Sequence, residues 1–143
     1  MSMCLPCEGP VVLGLGCDRG TSAETIAQAV AQALVRLGCG SAQVRGLASI
    51  ALKADEAGLL AFAAAQGWPL HFFSAAELAR VEVPNPSETV RRHTGTPSVS
   101  EAAALLLGGG RVSDLLLEKH KHRGADGRHA TVSVARMHKD LKP

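Results

Sequence analysis

The chain has 143 residues, 46% of them hydrophobic and 20% charged, which suits one domain with a real core. A net charge of +2 and only four aromatic side chains, Phe62, Trp68, Phe72 and Phe73, argue against nucleic-acid binding through a basic face or a base-stacking platform. No apolar segment reaches the roughly 20 residues of a membrane helix, and no secretory pattern precedes Val11, so the four cysteines read as reduced thiols of a cytoplasmic protein.

Residues 1–10 carry Pro6, Gly9 and Pro10 without periodicity and read as a flexible leader; the domain is expected over 11–136, with 137–143 as a tail. Val11, Val12, Leu13 and Leu15 form an apolar run of strand length. Gly14, Gly16 and Gly20 then permit a tight turn, and Thr21 or Ser22 can cap a helix in which Ile26, Val30, Ala33, Leu34 and Leu37 recur up to Gly38. A second strand is expected over 44–50. Asp55 is placed to cap a helix over 56–66, and 69–73 reads as a third strand.

Ser74 opens a short helix over 75–80, after which Pro84 and Pro86 enforce extended backbone. Ser87 is expected to cap a helix through His93, followed by a turn over 94–97. Ser98 or Ser100 opens a helix to Leu107 that Gly108, Gly109 and Gly110 end. Residues 115–119 and 130–136 read as the strands of an antiparallel hairpin connected over 121–128. This order predicts a three-layer α/β/α domain with a mixed sheet of about five strands ending in that hairpin.

A strand leading through glycines into a helix start makes an anion site, because unpaired N–H groups and the positive end of the dipole converge there. The spacing Gly14-x-Gly16-x-x-x-Gly20 is one residue longer than the dinucleotide fingerprint, and no lysine follows Gly20 as a triphosphate loop requires. Cys17 lacks the arginine of a phosphatase-like loop, Ala23 standing in its place, and reads as a small residue packed under the turn. Arg19 is a candidate grip on a ligand carboxylate or phosphate, weighed evenly against a solvated loop charge. Cys4 and Cys7 have zinc spacing without a second ligand pair, so neither metal nor cofactor is expected.

His120, His122, His129 and His138 crowd the end of the chain with Lys119, Lys121, Arg123 and Arg128, and read as a solvated hairpin tip or a cationic flap. Lys119, where the strand ends, is the expected ligand contact. In an open parallel sheet ligands gather at the carboxyl ends of the strands. That rule collects Gly16, Cys17, Arg19, Gly20, Thr21, Lys53, Asp55, Asn85, Ser87, Thr94, Gly95 and Lys119 as candidate ligand-binding residues, with no catalytic residue identified. For Asp55 and Ser87 helix capping is the favoured role.

These residues resemble a known family, the CobE proteins and the C-terminal domain of CbiG. The resemblance runs from about Val11 to Arg136. It rests on Gly14-Leu15-Gly16-Cys17 with Arg19-Gly20-Thr21, on Leu52-Lys53-Ala54-Asp55-Glu56, on Phe72-Phe73-Ser74 and on Pro84-Asn85-Pro86-Ser87. It continues in Thr94-Gly95, in Ser100-Glu101-Ala102-Ala103-Ala104-Leu105 and in Ala130-Thr131-Val132-Ser133-Val134-Ala135-Arg136.

The resemblance implies an α/β/α domain acting in corrin-ring assembly around the contracted-ring precorrin stage, where CbiG opens a lactone and releases a two-carbon aldehyde. No counterpart of the N-terminal part of the full-length hydrolase is present, so the stand-alone CobE type is expected. Asp18 stands where the family leads one to expect a basic or polar residue. The expected ligand is a polycarboxylate precorrin or corrinoid, bound by a helper protein, with Arg19, Lys53 and Lys119 meeting its acid groups. The alternatives are a lactone hydrolase in which Asn85, Ser87 and Thr94 place water, or a module docking on other cobalamin-pathway enzymes.

Overall fold

The apolar run at Val11 becomes β1 (Val11–Cys17), the middle strand of the sheet in the computed structural model, which describes residues 9–95 and 98–138. The expected leader through residue 8 with its Cys4–Cys7 spacing, the second half of the expected 94–97 turn, and the expected tail from residue 139 lie outside the described residues. β2 (Val44–Ile50) and β3 (Leu70–Phe73) extend the sheet in parallel on one side of β1. β5 (His129–Arg136) and β4 (Leu115–Arg123) extend it antiparallel on the other, giving the order β3-β2-β1-β5-β4. The expected mixed α/β/α sheet closed by a hairpin is therefore the fold.

Alternation along β1 divides the core. Val11, Leu13 and Leu15 pack with α1 (Ala23–Leu37) and α2 (Ala57–Gln66) on one face. Val12 packs with α5 (Val99–Gly108) and with Leu78 of α3 (Ala75–Ala79) on the other. Gly14 lies under α5, where a Cβ would overlap the Ser100 carbonyl oxygen and stand 2.7 Å from the Ala104 nitrogen. Its role is thus close helix packing, not the turn expected of it. In the loop that follows, Gly20 takes the positive φ of 79°.

Ser22, Ser74 and Ser87 cap α1, α3 and α4 (Glu88–Thr94), each side chain accepting from the amide three residues on. The cap expected of Asp55 is not made. Glu56 holds the N-cap position of α2 without a side-chain cap bond, and Asp55 turns to Arg19.

The hairpin is longer than expected, because β4 runs on through Arg123 and the turn is confined to residues 124–128. His120 and His122 lie inside the strand against α1, not in an exposed tip or flap. His122 Nε2 lies 2.8 Å from Gln28 Oε1, and His120 Nε2 lies 2.8 Å from Gln32 Oε1. Arg36 Nη1 donates to His120 Nδ1 at 3.0 Å. Partial burial, then the charges of Arg36 and His122, lower the His120 pKa, which keeps the ring neutral and able to accept from Arg36.

Candidate functional site

A cavity of about 470 Å³ opens at the carboxyl end of β1. Gly16, Cys17 and Arg19 form one wall, and Lys53 reaches in from the segment after β2. Thr94 closes α4, while Lys119 and Lys121 approach from β4. Of the expected ligand residues, Gly16, Cys17, Arg19, Lys53, Thr94 and Lys119 line this cavity; Gly20, Thr21, Asp55, Asn85, Ser87 and Gly95 do not. The second cavity of similar size sits at the far end of α5, near Arg80 and Arg111, away from every expected residue.

The anion expected at the start of α1 is supplied by the protein itself. Gly20 N donates to Glu56 Oε1 at 3.1 Å, and Arg19 Nη1 donates to Glu56 Oε2 and Asp55 Oδ1 at 3.0 Å each. Arg19 Nη2 also donates to the Leu52 carbonyl at 3.3 Å. Glu56 is 5% exposed, so this loop is anchored by a buried carboxylate and its arginine is largely compensated. The hydrogen bond and charge of Asp55 raise the Arg19 pKa, and the same contact lowers that of Asp55.

Thr21 is likewise engaged, its Oγ1 donating to the Asp18 carbonyl at 2.7 Å. Asp18 is tied across the sheet end, its Oδ2 accepting from His129 N at 2.8 Å. Burial pushes the Cys17 thiol up to about 11, with Lys53 opposing the shift. A thiol so shifted stays protonated at neutral pH and is a poor nucleophile.

Asn85 and Ser87 are held by protein partners. Asn85 Nδ2 donates to Glu101 Oε2 at 2.6 Å and to Glu118 Oε1 at 3.0 Å, and Glu101 is fully buried. Ser87 Oγ accepts from Val90 N at 3.2 Å, and Thr94 Oγ1 donates to the Val90 carbonyl at 2.7 Å. These bonds shape the loop between α3 and α4 and fix the side chains that the hydrolytic reading would use to place water.

Three lysines line the cavity together with the Asp18 carboxylate. Lys53, Lys119 and Lys121 make no hydrogen bond or ion pair among the described residues. Lys121 was missed as a site residue because the charged stretch read as a connection; a strand through Lys121 puts positions two apart on one side of the chain. Ser98, Val99 and Ser100, the start of α5, also line the cavity, where the sequence offers Ser98 or Ser100 only as a helix opening. Among the described residues no three His, Cys, Asp or Glu side chains gather as a metal-binding group, and no helix is long and apolar enough to cross a membrane. Cys17 is free and Cys39 is disulfide-bonded, which departs from the expectation of reduced thiols; composition does not encode which sulfurs meet in space.

Fold and cavity together define a single-sheet α/β/α domain with a lysine-lined cleft at the ends of its parallel strands. The chain belongs to the cobalamin synthesis G C-terminus family, which it matches over residues 11–135. It is 37% identical over 127 residues to protein CobE of a Sinorhizobium species, covering 87% of this chain and 79% of that one. It is also 37% identical over 125 residues to cobalt-precorrin-5A hydrolase of Priestia megaterium, covering 87% of this chain but only 32% of the hydrolase.

The crystal structure of CobE, a protein from the cobalamin biosynthetic pathway, superposes with a TM-score of 0.76 at 38% identity, covering 96% of this chain and 97% of that one. The cobalamin biosynthesis protein ChiG of Agrobacterium tumefaciens superposes at 0.64 with 33% identity, covering 90% of this chain and 99% of that one. The protein is therefore a cobalamin biosynthesis protein related to the C-terminal domain of CbiG.

Proposed function

We propose that the cavity binds the acid arms along one edge of a polycarboxylate precorrin or corrinoid intermediate, so that the chain acts as a helper in corrin-ring assembly. The observation that carries this reading is the set of three lysines, Lys53, Lys119 and Lys121, converging on one cavity that a single carboxylate, Asp18, also lines. Ammonium groups held close together repel one another, and carboxylates of a ligand relieve that repulsion while forming charge-assisted bonds. Family membership supports the pathway, and the relatives' names supply the class of intermediate.

Titration with a corrinoid acid, followed through its visible bands, tests the proposal. A band shift saturating at or below tens of micromolar is expected, weakened by added salt and about tenfold by Lys119→Ala. Arg19→Ala is expected to have a smaller effect, because Asp55 and Glu56 already hold that guanidinium. No shift at roughly tens of micromolar sinks the binding role. Release of a two-carbon aldehyde by this chain alone would replace it with hydrolysis, and binding only in the presence of a second pathway enzyme would replace it with docking.

A further inference from the structure

Among the residues that line the cavity at the end of β1, the lysines share it with one carboxylate. Asp18 follows β1 directly, and its side chain is 54% exposed, open to whatever enters. Its two oxygens are used unequally. Oδ2 accepts from His129 N at 2.8 Å and lies 3.2 Å from His129 Nδ1. Oδ1 has no hydrogen-bond partner among the described residues. Among those residues the one ion-pair contact of Asp18 is with His129, so none of the three lysines cancels its charge. Cys17, in the same wall, feels both signs: Lys53 lowers the pKa of its thiol and Asp18 raises it.

A carboxylate fixed in the wall of a lysine-lined cavity discriminates between ligands. It repels an acid arm brought beside it, and its open oxygen accepts from an N–H or O–H that takes the same place. Specificity is built from such repulsive elements as well as from attractive ones. A desolvated acceptor also penalises a group that cannot donate to it.

We propose that Asp18 is a specificity-determining residue of this cavity, selecting a ligand in which one arm ends in a hydrogen-bond donor, a primary amide or an alcohol, among arms that end in carboxylates. The lysines take the acids and Asp18 Oδ1 takes the donor. This rests on the proposed function for the corrinoid skeleton, and it narrows that reading: a ligand with every arm a free acid is not the best one.

Visible-band titrations of the parent and of Asp18→Asn, run at about pH 8 where imidazoles are ordinarily uncharged, decide it. One ligand is a corrinoid with every arm a free acid, the other the same corrinoid with every arm a primary amide. Asp18→Asn keeps an oxygen for the His129 amide and removes the charge, so the free acid is expected to bind it about tenfold more tightly than the parent, while the amide gains nothing. Asp18→Ser, neutral and smaller, is expected to move the acid in the same direction.

Unchanged or weaker acid binding in both variants overturns the role of Asp18 and leaves the binding role standing. An equal gain for acid and amide would mean that the variants only widen the cavity, and overturns it too. No band shift with the acid in any of the three proteins removes the binding role itself, and the selection with it.

Discussion

The starts of α1 and α5 pack on opposite faces of one sheet, and they are finished differently. At α1 the glycine loop is closed by the protein: Ser22 caps Thr25, Gly20 N reaches Glu56, and Arg19 lies against Asp55 and Glu56. At α5 the capping hydroxyl is buried and unpartnered among the described residues, and the glutamate of the first turn faces elsewhere. Sequence favours the first as an anion site, because glycines and a nearby arginine are conspicuous. Geometry closes the first, because a donor already bonded by the protein is not offered to a ligand.

Glycine contacts beneath these helix starts give the largest expected effect. Gly14→Ala should push α5 away from β1 and cost about 3 kcal/mol or more, read as a lower urea midpoint, since a Cβ would overlap backbone on both Ser100 and Ala104. Gly16→Ala, whose nearest obstacle is 3.9 Å away, is the control and should cost less than about 1 kcal/mol. Equal midpoints for the two variants would mean that α5 does not depend on close seating at Gly14.

A smaller effect compares the two caps directly. Ser22→Ala should destabilise by about 1 kcal/mol, because it removes an acceptor for the Thr25 amide. The matching change at Ser98 should cost nothing, and equal losses at the two serines would erase the distinction between the helix starts.

The smallest effect is a pH dependence. Arg19 holds the Asp55 carboxyl below its ordinary value of 3.8, so the contribution of that contact is fully present above the ordinary value and is lost as pH falls through the lower folded one. Both partners are largely exposed, so the effect is slight. Acid titrations by circular dichroism should show Asp55→Asn with a shallower loss of stability below about pH 4. An unchanged acid limb would mean that Glu56 alone holds Arg19.

Much of the fold was legible because it is written locally. Apolar runs marked β1 and β2, Gly38 and Gly109 took the left-handed conformations that end α1 and α5, and Ser74 and Ser87 capped where expected. The misreadings came from contacts between distant residues. Asp55 looks like a cap in its own neighbourhood, yet its partner Arg19 is 36 residues away. His120 and His122 look like loop residues until the glutamines of α1 are set beside them. Half of the candidate site was legible because loops at strand ends can be collected by topology; Ser98 was not, since an unmade hydrogen bond leaves no mark in a sequence.

The place of β1 in the sheet bears on how the chain is made. Val11 pairs with Val44 on one side and with Arg136 on the other. As the polypeptide leaves the ribosome, β1 and β2 can meet early, but the other edge of β1 stays open until the hairpin has been translated. Its unpaired amides and carbonyls then invite pairing with any other strand in reach. Contacts of such long sequence separation also close slowly. Completion of the sheet, and of the cavity that borrows Lys119 and Lys121 from β4, therefore comes after the pairing of β1 with β2, and the open edge is exposed to aggregation until it occurs.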